Sequence, residues 1–136
     1  DFYNGQFINV EIMTEPMEDL FKHSHFITLH VPSQEGYVIG KNEIAQMKDN
    51  VGIVNCARGG VIDEVALIEA LENEKVLFAG LDVFENEKPE TFSVAEHAIF
   101  DKLYAFENVV LSPHVAGWTH ESKYLLGKIL LDKIFN

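Results

Sequence analysis

Nine lysines and a single arginine, Arg58, carry the positive charge of this chain. The two cations do different chemistry: arginine presents a planar fork that can hold a carboxylate by two parallel hydrogen bonds, whereas lysine is a flexible point charge. Arg58 stands in the densest run of small residues present, Val54-Asn55-Cys56-Ala57-Arg58-Gly59-Gly60. One arginine at the mouth of a glycine turn suits a substrate anion. Its ordinary alternative, an exposed ion pair, contributes about 0–1 kcal/mol. Two further stretches carry reactive groups: the acidic loop Asp82 to Glu87, and Ser112-Pro113-His114. Each has a plain use as well, a solvated acidic loop in one case and a surface or core histidine in the other.

The elements around these groups decide between the uses. Val51-Gly52-Ile53-Val54-Asn55 is a short, largely β-branched run of the kind buried on both faces of a sheet. Asp63 to Leu71 follows as a helix with Asp63 as N-cap and Val65, Ile68 and Leu71 as its apolar stripe. Arg58 therefore leaves the C-terminal end of a strand, the edge at which open parallel α/β sheets bind ligands. Further strands are predicted at residues 26–31, 77–83 and 108–112, and helices at 15–22 with Pro16 in the first turn, 42–47, 95–104 and 119–134. Strand and helix alternate, which implies right-handed crossovers and a parallel sheet covered on both faces, half of a doubly wound α/β fold. Parallel strands then bring Arg58, the Asp82–Glu87 loop and His114 to one edge.

The 136 residues suffice for one domain with a real core. The formal charge of −12 argues against nucleic-acid or anionic-membrane partners, which bind through basic patches. One cysteine forms no internal disulfide, and no apolar run approaches the roughly 18 residues that span a bilayer. With no basic-then-apolar leader, a cytoplasmic location is the expectation. No G-x-G-x-x-G and no P-loop occurs, although such sheets usually carry one as a phosphate cradle. The expectation is a Rossmann-like sheet lacking its first βα unit.

Three motifs together resemble the D-isomer-specific 2-hydroxyacid dehydrogenases. Met47-Lys48 through Val54-Asn55-Cys56-Ala57-Arg58-Gly59-Gly60-Val61-Ile62-Asp63 resembles the family's long arginine signature. Ala79-Gly80-Leu81-Asp82-Val83-Phe84-Glu85-Asn86-Glu87 resembles its Asp-Val-Phe segment, with an acid five residues after the aspartate, and Asn108 through Ser112-Pro113-His114-Val115-Ala116-Gly117 its histidine motif. Leu29-His30-Val31-Pro32 matches a lesser fourth. The resemblance runs from Asp1 to about Leu130. It implies that residues 1–136 are a partial NAD-binding domain, beginning beyond the glycine loop near the end of the second strand, with the substrate domain absent and the chain inactive by itself.

Carried over by residue, the resemblance implies that Arg58 binds the substrate carboxylate and the keto or hydroxyl oxygen, that His114 passes the proton, and that Glu87 hydrogen-bonds His114. Glu85 is the rival for that last role. A 2-hydroxyacid losing hydride to a nicotinamide must also lose its hydroxyl proton, and a carboxylate beside an imidazole favours the protonated ring. For NAD, the resemblance implies that Asp82 and His114 lie by the nicotinamide, that His30, Val31 and Pro32 border the adenine side, that Cys56, Ala57 and Gly117 give backbone or close contacts, and that Asp1 binds the adenosine ribose. Small residues let backbone approach ligand. Cys56 otherwise reads as a small buried residue. The phosphoglycerate dehydrogenases are the members most alike, which favours 3-phosphoglycerate among D-2-hydroxyacid substrates, and a homodimer is implied for the full-length protein.

Other readings are weaker. His23, His25 and His30 have no Cys or acid spacing to complete a zinc set, so no metal is expected. Ser112 lacks the G-x-S-x-G elbow of a hydrolase and reads as a strand end. Trp118 reads as packing that also borders a cleft. The related formate dehydrogenases have glutamine at the position of Glu87. A non-catalytic NAD-sensing module of corepressor type, similar in fold, and an inactive fragment are the alternatives to an enzyme.

Overall fold

The computed structural model describes residues 16–135 and, as backbone, the short strands β1 (Phe2–Tyr3) and β2 (Gln6–Phe7). These two pair antiparallel, with Phe2 opposite Phe7. The expectation for Asp1 lies outside the described residues.

The rest alternates as the hydrophobic pattern demands: α1 (Met17–His23), β3 (Phe26–Leu29), α2 (Lys41–Gln46), β4 (Val51–Asn55), α3 (Glu64–Glu72), β5 (Val76–Leu81), a 3₁₀ turn (Pro89–Thr91), α4 (Val94–Ala105), β6 (Val109–Leu111) and α5 (His120–Phe135). Strands β3 to β6 form one parallel sheet in the order β3-β4-β5-β6. Each neighbour in space is the next strand in sequence, so every crossover steps in the same direction through a helix or loop. This is the Rossmann-like half sheet.

Register does the work that matters for a site. Leu29 pairs with Asn55, Asn55 with Leu81, and Leu81 with Leu111. The four C-terminal ends form one row, and the residues that follow them, His30, Cys56, Asp82 and Ser112, leave along a common edge.

The core lies where β4 and β5 meet α3 and α4. Val51, Ile53, Leu67, Val76 and Leu103 are fully buried, together with Ile39 and Val61 from the flanking loops. Helix α3 starts at Asp63, whose carboxylate accepts the N–H groups of Val65 and Ala66 at 3.0 Å, satisfying two of the donors orphaned at a helix start. Its buried face corrects the expected stripe. Ile68 and Leu71 are buried together with Ala66, Leu67 and Ala70, while Val65 is 50% exposed. The helix is clamped between the sheet and α4, and alanines let it approach both, so the inward face rotates towards them. Pro16 is the N-cap of α1 and not a residue of its first turn. Helix α4 starts in a capping box: Ser93 accepts the Glu96 N–H at 3.2 Å and Glu96 accepts the Ser93 N–H at 2.6 Å. No helix among the described residues is long and apolar enough to cross a membrane.

Candidate active site

Three loops leave the common strand edge, and backbone hydrogen bonds fix each of them. The loop after β4 is organised by Asn55, buried at 2% exposure. Its Oδ1 accepts the Ala57 N–H at 3.0 Å and its Nδ2 donates to the Arg58 carbonyl at 3.0 Å, folding the chain back on itself within three residues. Gly60 completes the turn at φ +73°, in the left-handed region that side chains disfavour. Gly59 has a different reason. A Cβ there would lie 1.7 Å from the Phe84 carbonyl oxygen, so only glycine lets the arginine loop rest against the loop that follows β5.

Arg58 is exposed on this turn, its Nη1 donating to the Ala57 carbonyl at 2.6 Å. It makes no ion pair among the described residues. Ala57 is buried, its N–H and carbonyl both used within the turn. Cys56 corrects an expectation: it is exposed just past the strand end, where the turn that Asn55 folds puts Ala57 inward and Cys56 outward. Partial desolvation of its sulfur, joined by the nearby Asp82 charge, still pushes the thiol pKa up, so the thiolate is disfavoured there.

The loop after β5 begins with Asp82, 3% exposed. Its carboxylate accepts from Ser112 Oγ at 2.6 Å and from the Val115 and Ala116 N–H groups at 2.9 Å. Burial by itself would raise the carboxyl pKa; the three donors and the neighbouring His114 overcome this and hold it below its ordinary value. Asp82 is thereby an anchor for the histidine turn, with its charged form the stable one. The main chain repeats the tie, since the His114 N–H donates to the Asp82 carbonyl at 2.9 Å. His114 sits at φ +53°, a conformation costly for a side-chain-bearing residue and held by these bonds.

His114 Nδ1 lies 2.9 Å from Glu87 Oε2. A carboxylate at that nitrogen holds the Nδ1–H tautomer and leaves Nε2 for exchange with a substrate oxygen. Both side chains remain partly open to solvent, at 48% and 39% exposure, so a proton and a ligand can reach them. Glu85 is engaged elsewhere: its N–H donates to Glu64 Oε1 at 2.8 Å, and its carboxylate lies near enough to Tyr37 to raise the phenol pKa. Behind the Glu87–His114 pair lies a cavity of about 360 Å³ walled by Phe84, Phe92, Phe100, Tyr104 and Leu111.

The positions expected to border a nucleotide are open. His30, Val31 and Pro32 are exposed beyond β3, His30 Nε2 lying 3.0 Å from Thr28 Oγ1. Gly117 has nothing within 4 Å of where a Cβ would be. His25 Nε2 lies 3.2 Å from Lys48 Nζ, and no group of three metal-ligating side chains occurs among the described residues. Trp118 is 72% exposed, with the Lys123 ammonium 5.2 Å from its ring centre. Asn55, Ser112 as a partner of Asp82, and Glu64 were missed by sequence reasoning. Asn55 had a signal, a polar residue closing an otherwise apolar buried strand.

Residues 4–116 match the sequence model described as the D-isomer specific 2-hydroxyacid dehydrogenase, NAD binding domain. The chain is similar to a hydroxypyruvate reductase of Thermotoga maritima, 47% identical over 121 residues, covering 88% of this chain and 38% of that protein. It is also similar to a D-3-phosphoglycerate dehydrogenase of Methanocaldococcus jannaschii, 41% identical over 124 residues, covering 90% of this chain and 22% of that protein. Among solved structures, a D-lactate dehydrogenase from Aquifex aeolicus complexed with NAD and lactic acid superposes with a TM-score of 0.75 at 31% identity, over 88% of this chain and 39% of that one. The chain thus spans well under half the length of these relatives.

Proposed function

The chain belongs to the D-isomer-specific 2-hydroxyacid dehydrogenases, and on that premise we propose that it supplies the arginine, the proton-transfer pair and part of the NAD cradle for oxidation of a D-2-hydroxyacid or reduction of the matching 2-oxoacid. The supporting observation is the 2.9 Å contact between His114 Nδ1 and Glu87 Oε2 at the same sheet edge that carries an arginine with no acid partner among the described residues. The short share of each relative that is covered supports a second part of the proposal: the substrate domain and the phosphate-binding glycine loop lie outside these 136 residues.

NAD is the cofactor of this domain family, and the chemistry it supplies is hydride transfer to or from C2 of the acid. The residues present fit it: the strand ends offer an open edge, with exposed His30, Val31, Pro32 and Cys56 and an unobstructed Gly117. His30 to Pro32, Cys56 and Gly117 would hold the nucleotide, with the buried Ala57 and Asp82 fixing the loops beneath it. Arg58 grips the substrate carboxylate and orients the C2 oxygen. His114 Nε2 gives its proton to that oxygen as C2 gains hydride, and takes it back in the oxidative direction. Glu87 holds the ring through Nδ1 and so keeps Nε2 turned to the substrate oxygen. We favour 3-phosphoglycerate as substrate on motif resemblance, with glycerate, glyoxylate and lactate as competitors that present the same carboxylate to Arg58.

The test is the intact mass of the native protein, followed by assays of that whole protein: NAD reduction with D-3-phosphoglycerate, D-glycerate and D-lactate, and NADH oxidation with hydroxypyruvate and glyoxylate. Arg58→Leu should lower kcat/KM at least about hundredfold, since two charge-assisted hydrogen bonds contribute about 3 kcal/mol. A native mass near 15.4 kDa without turnover, or NADH binding with no substrate turned over, would sink the proposal, the second result favouring a sensor.

A further inference from the structure

Glu64 is the first residue of α3, the helix entered from the arginine loop, yet its side chain serves a different segment. Its Oε1 accepts the Glu85 N–H at 2.8 Å. Glu85 stands two residues before Glu87 and two after Val83, which is 1% exposed, so the segment from 83 to 87 runs from a fixed core position to the carboxylate that meets His114. On one side of Glu85, Gly59 packs against the Phe84 carbonyl. On the other, the Asn86 side chain meets Thr91, Glu96 Oε1 at 2.8 Å and the Lys88 N–H. The segment that carries Arg58 thus grips residues 84 and 85 through Gly59 and Glu64, while Asn86 is tied to the start of α4.

We propose that Glu64 is a positioning residue: by accepting the Glu85 N–H it fixes the start of the segment bearing Glu87, and so sets Glu87 on His114 Nδ1 while coupling that pair to the arginine loop. The functional weight of this rests on the reading above that Glu87 and His114 move the proton. The geometric content does not.

The residue is unusual enough to have a cause. A carboxylate at a helix start can sit in water at no cost, but Glu64 is partly buried beside Asp63 on its own helix, Glu85 on the loop and Glu96 on α4. Burial first, and then repulsion from these three acids, raise its pKa to about 7, against a smaller lowering by the Glu85 N–H. Placing an acid among acids is unfavourable unless something uses it, and the one donor it holds belongs to the segment that leads to Glu87.

The test uses the whole native protein, labelled with ¹⁵N, and needs no turnover. In the wild type the Glu85 amide signal should move with pH at a midpoint near that of Glu64, about 7. Glu64→Gln abolishes that movement but keeps an acceptor oxygen, so the His114 ring should retain its Nδ1–H tautomer. In Glu64→Ala the Glu85 amide should exchange about tenfold faster, the equivalent of one lost hydrogen bond, and the ring nitrogen signals should move towards a tautomer mixture. Unchanged amide exchange and ring signals in Glu64→Ala would overturn the proposal, as would equal disruption by Gln and Ala. Should Glu64→Ala not fold, Glu64→Asp replaces it: one methylene shorter, its carboxylate should lose the Glu85 N–H and give the same faster exchange, and unchanged exchange refutes the proposal. None of these signals depends on whether the whole protein turns over a hydroxyacid, so the two proposals fail separately.

Discussion

Replacing Asp82 by alanine tests whether the histidine turn is held mainly by one buried carboxylate. The substitution strands three donors: Ser112 Oγ at 2.6 Å, and the Val115 and Ala116 N–H groups at 2.9 Å. A buried donor left unsatisfied costs about 1–3 kcal/mol. The serine hydroxyl can rotate to another acceptor and contributes little. The two amides lie in an exposed stretch where water recovers part of the loss, so about 1–1.5 kcal/mol each is the fitting share, with up to about 1 more for the lost charge assistance. The sum is about 2–4 kcal/mol. Its pH dependence has a definite sign. The folded-state pKa of Asp82 is depressed below 3.8, so its contribution is complete above that value and is lost as pH falls through the folded-state value. Urea denaturation of wild type and Asp82→Ala should therefore give a constant gap from neutral pH down to about 5, closing in more acid solution. A gap under about 0.5 kcal/mol at neutral pH, or one that widens on acidification, would refute the reasoning. The left-handed conformation of His114 should loosen, read from its ¹⁵N and Cα shifts, since only the main-chain bond to the residue 82 carbonyl and the Glu87 contact then remain to hold it.

Gly59→Ala should destabilise by about 2–3 kcal/mol, because its Cβ meets backbone and not a movable side chain. Gly60→Ala, strained at φ +73° but with nothing within 4 Å, should cost only about 1 kcal/mol, and urea midpoints in the opposite order would show that the contact with Phe84 is not what selects glycine. Glu64 makes the reverse pH prediction to Asp82. Its folded-state pKa is raised from 4.5 to about 7, so stability falls as pH rises across that interval and is flat above it. At 1.36 kcal/mol per pKa unit the ceiling is about 3 kcal/mol, and solvent screening of a partly exposed side chain reduces it to about 1–2. Glu64→Gln should remove the fall, so that the variant gains on wild type between acid and neutral solution; parallel stability curves would contradict it.

Much of the scaffold was legible in the chain. Val51 to Asn55 reads as a buried strand because β-branched residues bounded by turn formers have few other uses, and it is one. Asp63 reads as an N-cap because its short carboxylate reaches its own helix start, a contact within three residues that no distant neighbour can override. Where residues far apart in sequence had to agree, reading was poorer. Val65 fits the helical period of Ile68 and Leu71, yet the face that turns inward is set by α4 and the sheet together, and it is Leu67 that fills that side. Cys56 has a buried type, but its side is dictated by Ala57 in the turn that Asn55 folds.

Sequence by itself determined the alternation of elements, the parallel half sheet and the family, because local periodicity and ordered motifs are properties of contiguous residues. The resemblance already favoured Glu87, five residues after Asp82; only the tertiary structure shows its Oε2 2.9 Å from His114 Nδ1 across 27 residues while the Glu85 N–H goes to Glu64. The choice between two acids of the same loop depends on the register that aligns Leu81 with Leu111 and on which way each backbone position faces. Those are distances through space, fixed by packing, which spacing along the chain indicates only through resemblance to a known motif.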